Sequence, residues 1–500
     1  MLAVYTELER WDALPSVVDG LARIEEPPAA RLESLSAMAK VVEKRLGDGT
    51  RAAQLWDEVL DLDKKRLDAF EEIVRLYTAS KDWKALDRAY RKMIARIKDD
   101  DEPKLKFVLF HQLGLIYRDR LGDAPRAFEA LEAASRIDPD HAEVRKILTE
   151  LLVVTDNLDA AVARVRSAIG RDPHDAELYQ ELYELFLRQH AFDRAWCALS
   201  VLACLRELSP EQARFFSDYA PMPLSEIPGQ LVEDAWHSHV LHADLDPTLT
   251  RLFGLVTPAI ARFRASQLRP EQRIAAPFTP AHSRLHEAVR TAFSDASEIL
   301  CTAAPELLLG EPGSEGPFAP AIAPLGAIFV SPSRLEEREE SLVYLIGKRL
   351  AERRPELMGR AFFPSVAELT AVLASAVRVS RSDGTKDAAP KDPAAAALDA
   401  GLQTMLTPGE REELRSIVTR AHTDGRLLDV KRWFRAADLS SSRAGLLLGG
   451  DLDVARRATL AEPQLPSDLS AQEKIAELYV FATSDLYADL RGAIGVTVQG

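Results

Sequence analysis

Cysteine is nearly absent from this chain of 500 residues. Three thiols, Cys197, Cys204 and Cys301, are too few for a disulfide framework. Cys197 and Cys204 stand seven apart in a helical pattern, on one face but two turns apart, too far to bridge. Reduced thiols are the expectation, and with them a cytoplasmic setting. Long apolar runs are missing too. No stretch reaches the roughly 18 uninterrupted apolar residues of a membrane span, and the first twenty residues carry charges where a secretory leader needs an apolar run. A basic excess is also lacking: 78 acidic residues stand against 63 basic ones, a net charge of −15. That balance speaks against nucleic acid and against anionic membrane surfaces as partners. Glycine-rich phosphate loops (P-loop, G-x-G-x-x-G) and the G-x-S-x-G elbow do not occur, so no nucleotide cofactor or serine nucleophile is indicated.

What is present is periodicity. Ala127, Ala161 and Ala195 recur at one constant interval. Around them recur Leu113-Gly114-x-x-Tyr117, Leu131, Ala134 and Pro139; then Leu148, Leu152, Val165, Ala168 and Pro173; then Leu182, Phe186, Leu199 and Leu202. Small residues let paired helices approach closely, large apolar ones fill the space between them, and the Asp-Pro pairs at 138–139 and 172–173 stop helices. Arg45-Leu46-Gly47-Asp48 before Ala52 and Trp56 echoes Arg120-Leu121-Gly122-Asp123 before Ala127 and Leu131. That echo marks a unit at 31–65, and Tyr77, Trp83, Leu86, Tyr90 and Met93 mark another between the two. Tyr5, Trp11, Leu14 and Val18 read as a unit entered halfway, either a cap or the inside of a longer array.

This pattern resembles the tetratricopeptide repeat, a helix-turn-helix unit of about 34 residues, and is similar to the long arrays of bacterial proteins. The resemblance implies an α-solenoid over residues 1–210, five full repeats and a partial one, that binds proteins or peptides on its concave face. By register that face carries His111, Arg118, Lys146, Glu150, Gln180, Glu184 and Arg188. Their mixed charges do not reproduce the Lys/Asn clamp with which some members hold a C-terminal carboxylate.

Beyond Leu208-Ser209-Pro210 the register is lost. Residues 211–379 read as mostly helical, with short strands at 305–310 and 327–330 and a helix from about Leu335 to Pro355. Residues 380–396 read as a flexible low-complexity loop, and 397–500 as helices that complete the second domain. The fold class is therefore mainly α: a solenoid followed by a mostly helical α+β domain. Two strands followed by a helix bearing L-G-x-x-L-A resemble the active-site region of gluzincin-type zinc metallopeptidases. There the helix carries H-E-x-x-H, with a third acidic ligand on a later helix. The matching positions are Lys348-Arg349-Leu350-Ala351-Glu352 and Asp438-Leu-Ser-Ser-Ser-Arg443-Ala444-Gly445-Leu446. The resemblance implies a degenerate, non-catalytic domain, because Lys348 and Arg349 put positive charge where a dication would sit. The same helix also reads as ordinary amphipathic patterning, with Leu342, Leu345, Ile346 and Leu350 inward and Lys348, Arg349 and Glu352 outward.

The remaining ligand-like spacings are His237-x-His239-x-x-His242 and the His282/His286 pair at i, i+4. The expectation is an interaction scaffold with no catalytic residue, no metal and no cofactor. The competing one is a zinc hydrolase using relocated histidines, with the repeats recruiting substrate. A third is self-association through exposed repeat ends.

Overall fold

The computed structural model describes residues 28–97, 102–219, 221–269, 276–279, 283–310, 316–381, 390–424, 428–463 and 469–498. The half-unit expected around Tyr5 to Val18 and the histidine at position 282 lie outside them. The fold is mainly α, with a three-stranded sheet. Compactness divides the chain into residues 1–161 and 162–500.

Among helices of two turns or more, the first unit holds α1 (Pro28–Val41), α2 (Gly49–Leu62), α3 (Leu67–Ser80), α4 (Trp83–Arg96), α5 (Pro103–Ile116), α6 (Ala124–Ile137) and α7 (Ala142–Val154). Each packs on the next in sequence, so apolar faces that no single pair could bury form one continuous core from Leu35 to Leu151. Ala52 and Ala127 are fully buried where paired helices meet. Gly114 shows why: a Cβ there would lie 2.5 Å from Leu131 Cγ.

The turns inside the pairs share one device, a residue in the left-handed region: Gly47, Lys81, Gly122 and Asp156, with φ between 57° and 67°. Asp48, Asp82 and Asp123 then cap the following helices by accepting from the N–H three residues on. The Arg-Leu-Gly-Asp echo has a structural cause. In both copies Arg-Leu ends a π-helical turn, Val42–Leu46 or Tyr117–Leu121, and the glycine that follows is its left-handed cap.

Helix α8 (Leu158–Ile169) spans the division at 161/162. The second unit continues with α9 (Ala176–Arg188), α10 (Phe192–Leu205) and α11 (Pro210–Ser217). The sequence placed the division at 210, whereas the compact units meet between Ala161 and Val162, within the repeats. The reason is the burial of α10. Residues 195–202 are all buried, which a helix exposed on one face cannot be. Its coverings include α19 (Leu452–Leu460) and α20 (Ala471–Ala482). The Arg491 guanidinium on α21 (Asp485–Ile494) binds the half-buried Asp193 carboxylate at 2.8 Å and stacks 4.8 Å from the Trp196 ring.

Between these parts lie α12 (Pro247–Gln267), α13 (Arg284–Ile299), α14 (Leu342–Ala351), α15 (Val366–Arg381), α16 (Pro393–Met405), α17 (Pro408–Thr423) and α18 (Val430–Gly449). Strand β1 (Leu307–Leu309) pairs in parallel with β3 (Ile328–Val330), close to the two segments expected from sequence. Strand β2 (Phe318–Pro320), antiparallel to β3, arises inside a Gly/Pro-rich stretch that showed no strand pattern. The helix expected from 335 to 355 is α14 preceded by a 3₁₀ turn over Glu336–Ser341, where Arg338 departs from helical geometry. The loop expected over 380–396 is shorter: α15 runs through Arg381, and α16 starts at Pro393 with Asp392 as its cap. Helix α18 is central, and every residue from Ala436 to Leu448 is buried. Its buried serines turn their hydroxyls back onto the helix, Ser440 donating to the Ala436 carbonyl and Ser442 to that of Asp438.

Candidate functional site

In the first unit, the expected recognition face lies on α5, its π extension and α7. Lys146 and Glu150 are exposed one turn apart on α7. Arg118 is half-buried and pairs with Asp119 at 2.6 Å. His111 is buried, in ring contact with Phe107 and His141, and its Nε2 lies 3.9 Å from a Glu143 carboxylate oxygen. That nitrogen has no hydrogen bond among the described residues. Burial lowers the His111 pKa, with Glu143 pulling the other way. Phe107, His141 and Glu143 were not singled out in the sequence, because ring contacts across a turn between repeats leave no fixed spacing.

In the second unit, Glu184 and Arg188 are exposed on α9. Gln180 is bonded internally: it donates to Glu184 at 2.7 Å and accepts from Arg206 at 2.9 Å and Gln212 at 2.7 Å. Helix α11, which supplies Gln212, also sets Phe215 against Tyr183.

The most concentrated charge in the second unit is buried between α14, α18 and α20. The Lys348 ammonium lies 3.0 Å from Asp438 Oδ1 and 2.7 Å from Glu462 Oε1. Lys474 Nζ lies 2.6 Å from Asp438 Oδ2 and 3.5 Å from Glu462 Oε2. Two cations and two anions balance. The Lys348, Asp438 and Lys474 side chains are 9%, 5% and 6% exposed, so solvent screens these charges little. Burial alone would raise the Asp438 carboxyl; the two ammonium groups outweigh it and hold the carboxyl well below the usual range. Burial likewise opposes a charged Lys348, and Asp438 and Glu462 hold its pKa well above the ordinary value. The outward placement of Lys348 and Glu352 expected from amphipathic patterning is therefore wrong. Both are buried, and Glu352 accepts from Arg349 at 2.6 Å. A charge can point inward when its partners wait on other helices, which patterning along one helix cannot register.

The L-G and R-A-G-L segments are where α14 and α18 touch. A Cβ on Gly445 would lie 2.7 Å from the Tyr344 carbonyl oxygen, and one on Gly347 2.9 Å from the Gly445 Cα. Arg443 is bound by Glu477 and covers the Phe481 ring.

The three histidines of the H-x-H-x-x-H segment part company. His242 Nδ1 accepts from the Asp244 N–H at 3.1 Å, which turns Nε2 to Glu477 at 3.6 Å. His239 meets Ser238 and Asp489. His237 faces Glu233 and Glu356. His286 contacts the Phe278 ring.

Residues 120–195 match the tetratricopeptide repeat family. No curated protein matches the chain. Similar solved structures include YrrB, described as a TPR protein with an unusual peptide-binding site, at 17% identity, covering 37% of this chain and 91% of that one, with a TM-score of 0.25. BtubC from P. vanneervenii is similar at 18% identity over 34% of this chain and 76% of its own, with a TM-score of 0.25. TTC0263 of Thermus thermophilus, titled a thermophilic TPR protein, shares 17% identity over 37% of this chain and 97% of its own, with a TM-score of 0.21. By the family match, the chain contains tetratricopeptide repeats. Among the described residues no helix is long and apolar enough to cross a membrane.

Proposed function

We propose that this chain is a cytoplasmic protein-interaction scaffold, with the repeat face of the first unit as its recognition surface and a second unit that carries no peptidase chemistry at its gluzincin-like position. The observation that carries the first part is the outward charge on α7 beside a buried imidazole. Lys146 and Glu150 are exposed, and His111, in ring contact with the His141 cap of that helix, has an Nε2 with no hydrogen bond among the described residues. A partner offering backbone carbonyls and side chains of both signs suits such a surface. A photo-crosslinking residue at Lys146 or Glu150 of the full chain tests this against the same residue at the exposed Glu129 on α6. Adducts with a single binding protein at the first two positions, and none at the third, are expected. Equal labelling at all three overturns the assignment.

The second part draws support from the ion cluster. If α14 and α18 are the counterparts of the two ligand helices, their ligand positions are occupied by a Lys348–Asp438 ion pair, and ammonium groups supply the positive charge that a metal would bring. The competing zinc-hydrolase reading drew on the His282/His286 pair, of which position 282 lies outside the described residues, and on His237, His239 and His242, which face three different sets of acidic partners.

A further inference from the structure

His237 follows Glu233 by one helical turn, and Glu356 approaches it from the segment after α14. One ligand atom from each of the three lies within 4.8 Å of the others. The decisive detail is the imidazole's orientation. Its Nδ1 is 3.1 Å from the Glu233 main-chain carbonyl, which can only accept, so Nδ1 carries the hydrogen. In the neutral ring Nε2 is then a bare lone pair, and it faces the Glu356 carboxylate oxygen at 3.5 Å. Two acceptors that face each other across such a gap can share a cation, while Arg354 holds the carboxylate from its other side. Two ligands about 2.1 Å from a tetrahedral zinc ion sit roughly 3.4 Å apart, which is close to this separation.

We propose that Glu233, His237 and Glu356 form a binding site for a divalent transition-metal ion of the zinc type. It is a site separate from the repeat face and from the Lys348 cluster, and it stands or falls without them. Two carboxylates and one imidazole are an accepted donor set for such ions. Arg354 acts as the outer partner. It is buried, lies 4.5 Å over the Trp236 ring, pairs with Glu233, and reaches both Glu356 oxygens at 3.3 Å. A fixed guanidinium beside two carboxylates orients them toward a shared ion. Two carboxylates and one guanidinium leave a net charge of −1, so a dication brings the site to +1 and favours an anionic fourth ligand. That position is open. His237 and Glu356 line a pocket of ≈ 840 Å³ whose other walls include Leu241, Leu245, Leu255 and Leu486. The ligand class that fits is a carboxylate with an apolar body.

The test is calorimetric titration of chelator-treated full-length protein with zinc chloride alone, followed by cobalt(II) as a spectroscopic probe. One saturable site is expected, with the intense visible bands of four-coordinate cobalt. His237→Ala and Glu356→Gln should each weaken it by about tenfold or more, with circular dichroism unchanged. His239→Ala, two residues away and facing Asp489, should leave it intact. Absence of saturable binding overturns the proposal and leaves a proton as the cation between Nε2 and Glu356. An isotherm that His237→Ala does not alter overturns it as well.

Discussion

Removing Lys348 should expose what holds the centre of the second unit. In Lys348→Met the aliphatic stem is kept and the ammonium is lost, so the buried quartet passes from neutral to a net charge of −1. Breaking a buried ion pair from one side costs about 3–5 kcal/mol. Lys474 still lies 2.6 Å from Asp438, which places the expected loss near the lower end, about 3 kcal/mol. Adding Asp438→Asn leaves Lys474 and Glu462 as a balanced pair, so the double variant should be less damaged than the two single losses summed, by about 1–3 kcal/mol. The acid limb should move too. Asp438 is held below its unfolded value of about 3.9. Its contribution is present above that pH and is lost as pH falls through the folded value. Lys348, held above about 10.4, contributes below that pH and is lost only as pH rises through its folded value. The native cluster is therefore flat between these limits. Without Lys348 the carboxyl rises, and the loss on acidification begins at higher pH. Urea titrations read by fluorine NMR of fluorotryptophan-labelled protein measure this at Trp236 and Trp433, both buried in the second unit. A cost under about 1 kcal/mol, or strict additivity in the double variant, would refute the reasoning.

Two further outcomes follow from packing. Gly445→Ala drives a Cβ to 2.7 Å from a backbone oxygen, which cannot swing aside, and should cost about 3 kcal/mol in the same titration. Gly492→Ala on α21 meets no atom within 4 Å and should stabilise by about 0.5–1 kcal/mol. Thiol titration with a chromogenic disulfide should count one reactive group in the native protein and three in denaturant: Cys301 is exposed, whereas burial pushes Cys197 and Cys204 up to about 12.

What could be read from the chain was whatever is decided within a turn or two of helix. The even spacing of Ala127, Ala161 and Ala195 located the helix pairs because a small residue is needed at every close approach, and each of the three is fully buried. The start of α17 is equally local: Thr407 caps it in a reciprocal box with Glu410, and Pro408 takes its first position. What could not be read depends on partners far along the chain. Lys348 looked like a surface lysine because its counter-charges, Asp438 and Glu462, lie on and beyond helices much later in the sequence. The compact units meet at 161/162 rather than at the end of the repeat pattern near 210, and distant partners are involved there too. α10 keeps the repeat pattern on its inner face, and its outer face is covered by elements far along the chain, α19, α20 and Arg491 on α21. The histidines teach the converse. H-x-H-x-x-H is a ligand-like spacing, but His237 and His239 lie in a π-helical turn, His242 lies beyond it, and the three rings meet different partners. The ligand set that does assemble joins one of them to a glutamate one turn before it and another from the far side of α14, a combination that no local motif encodes.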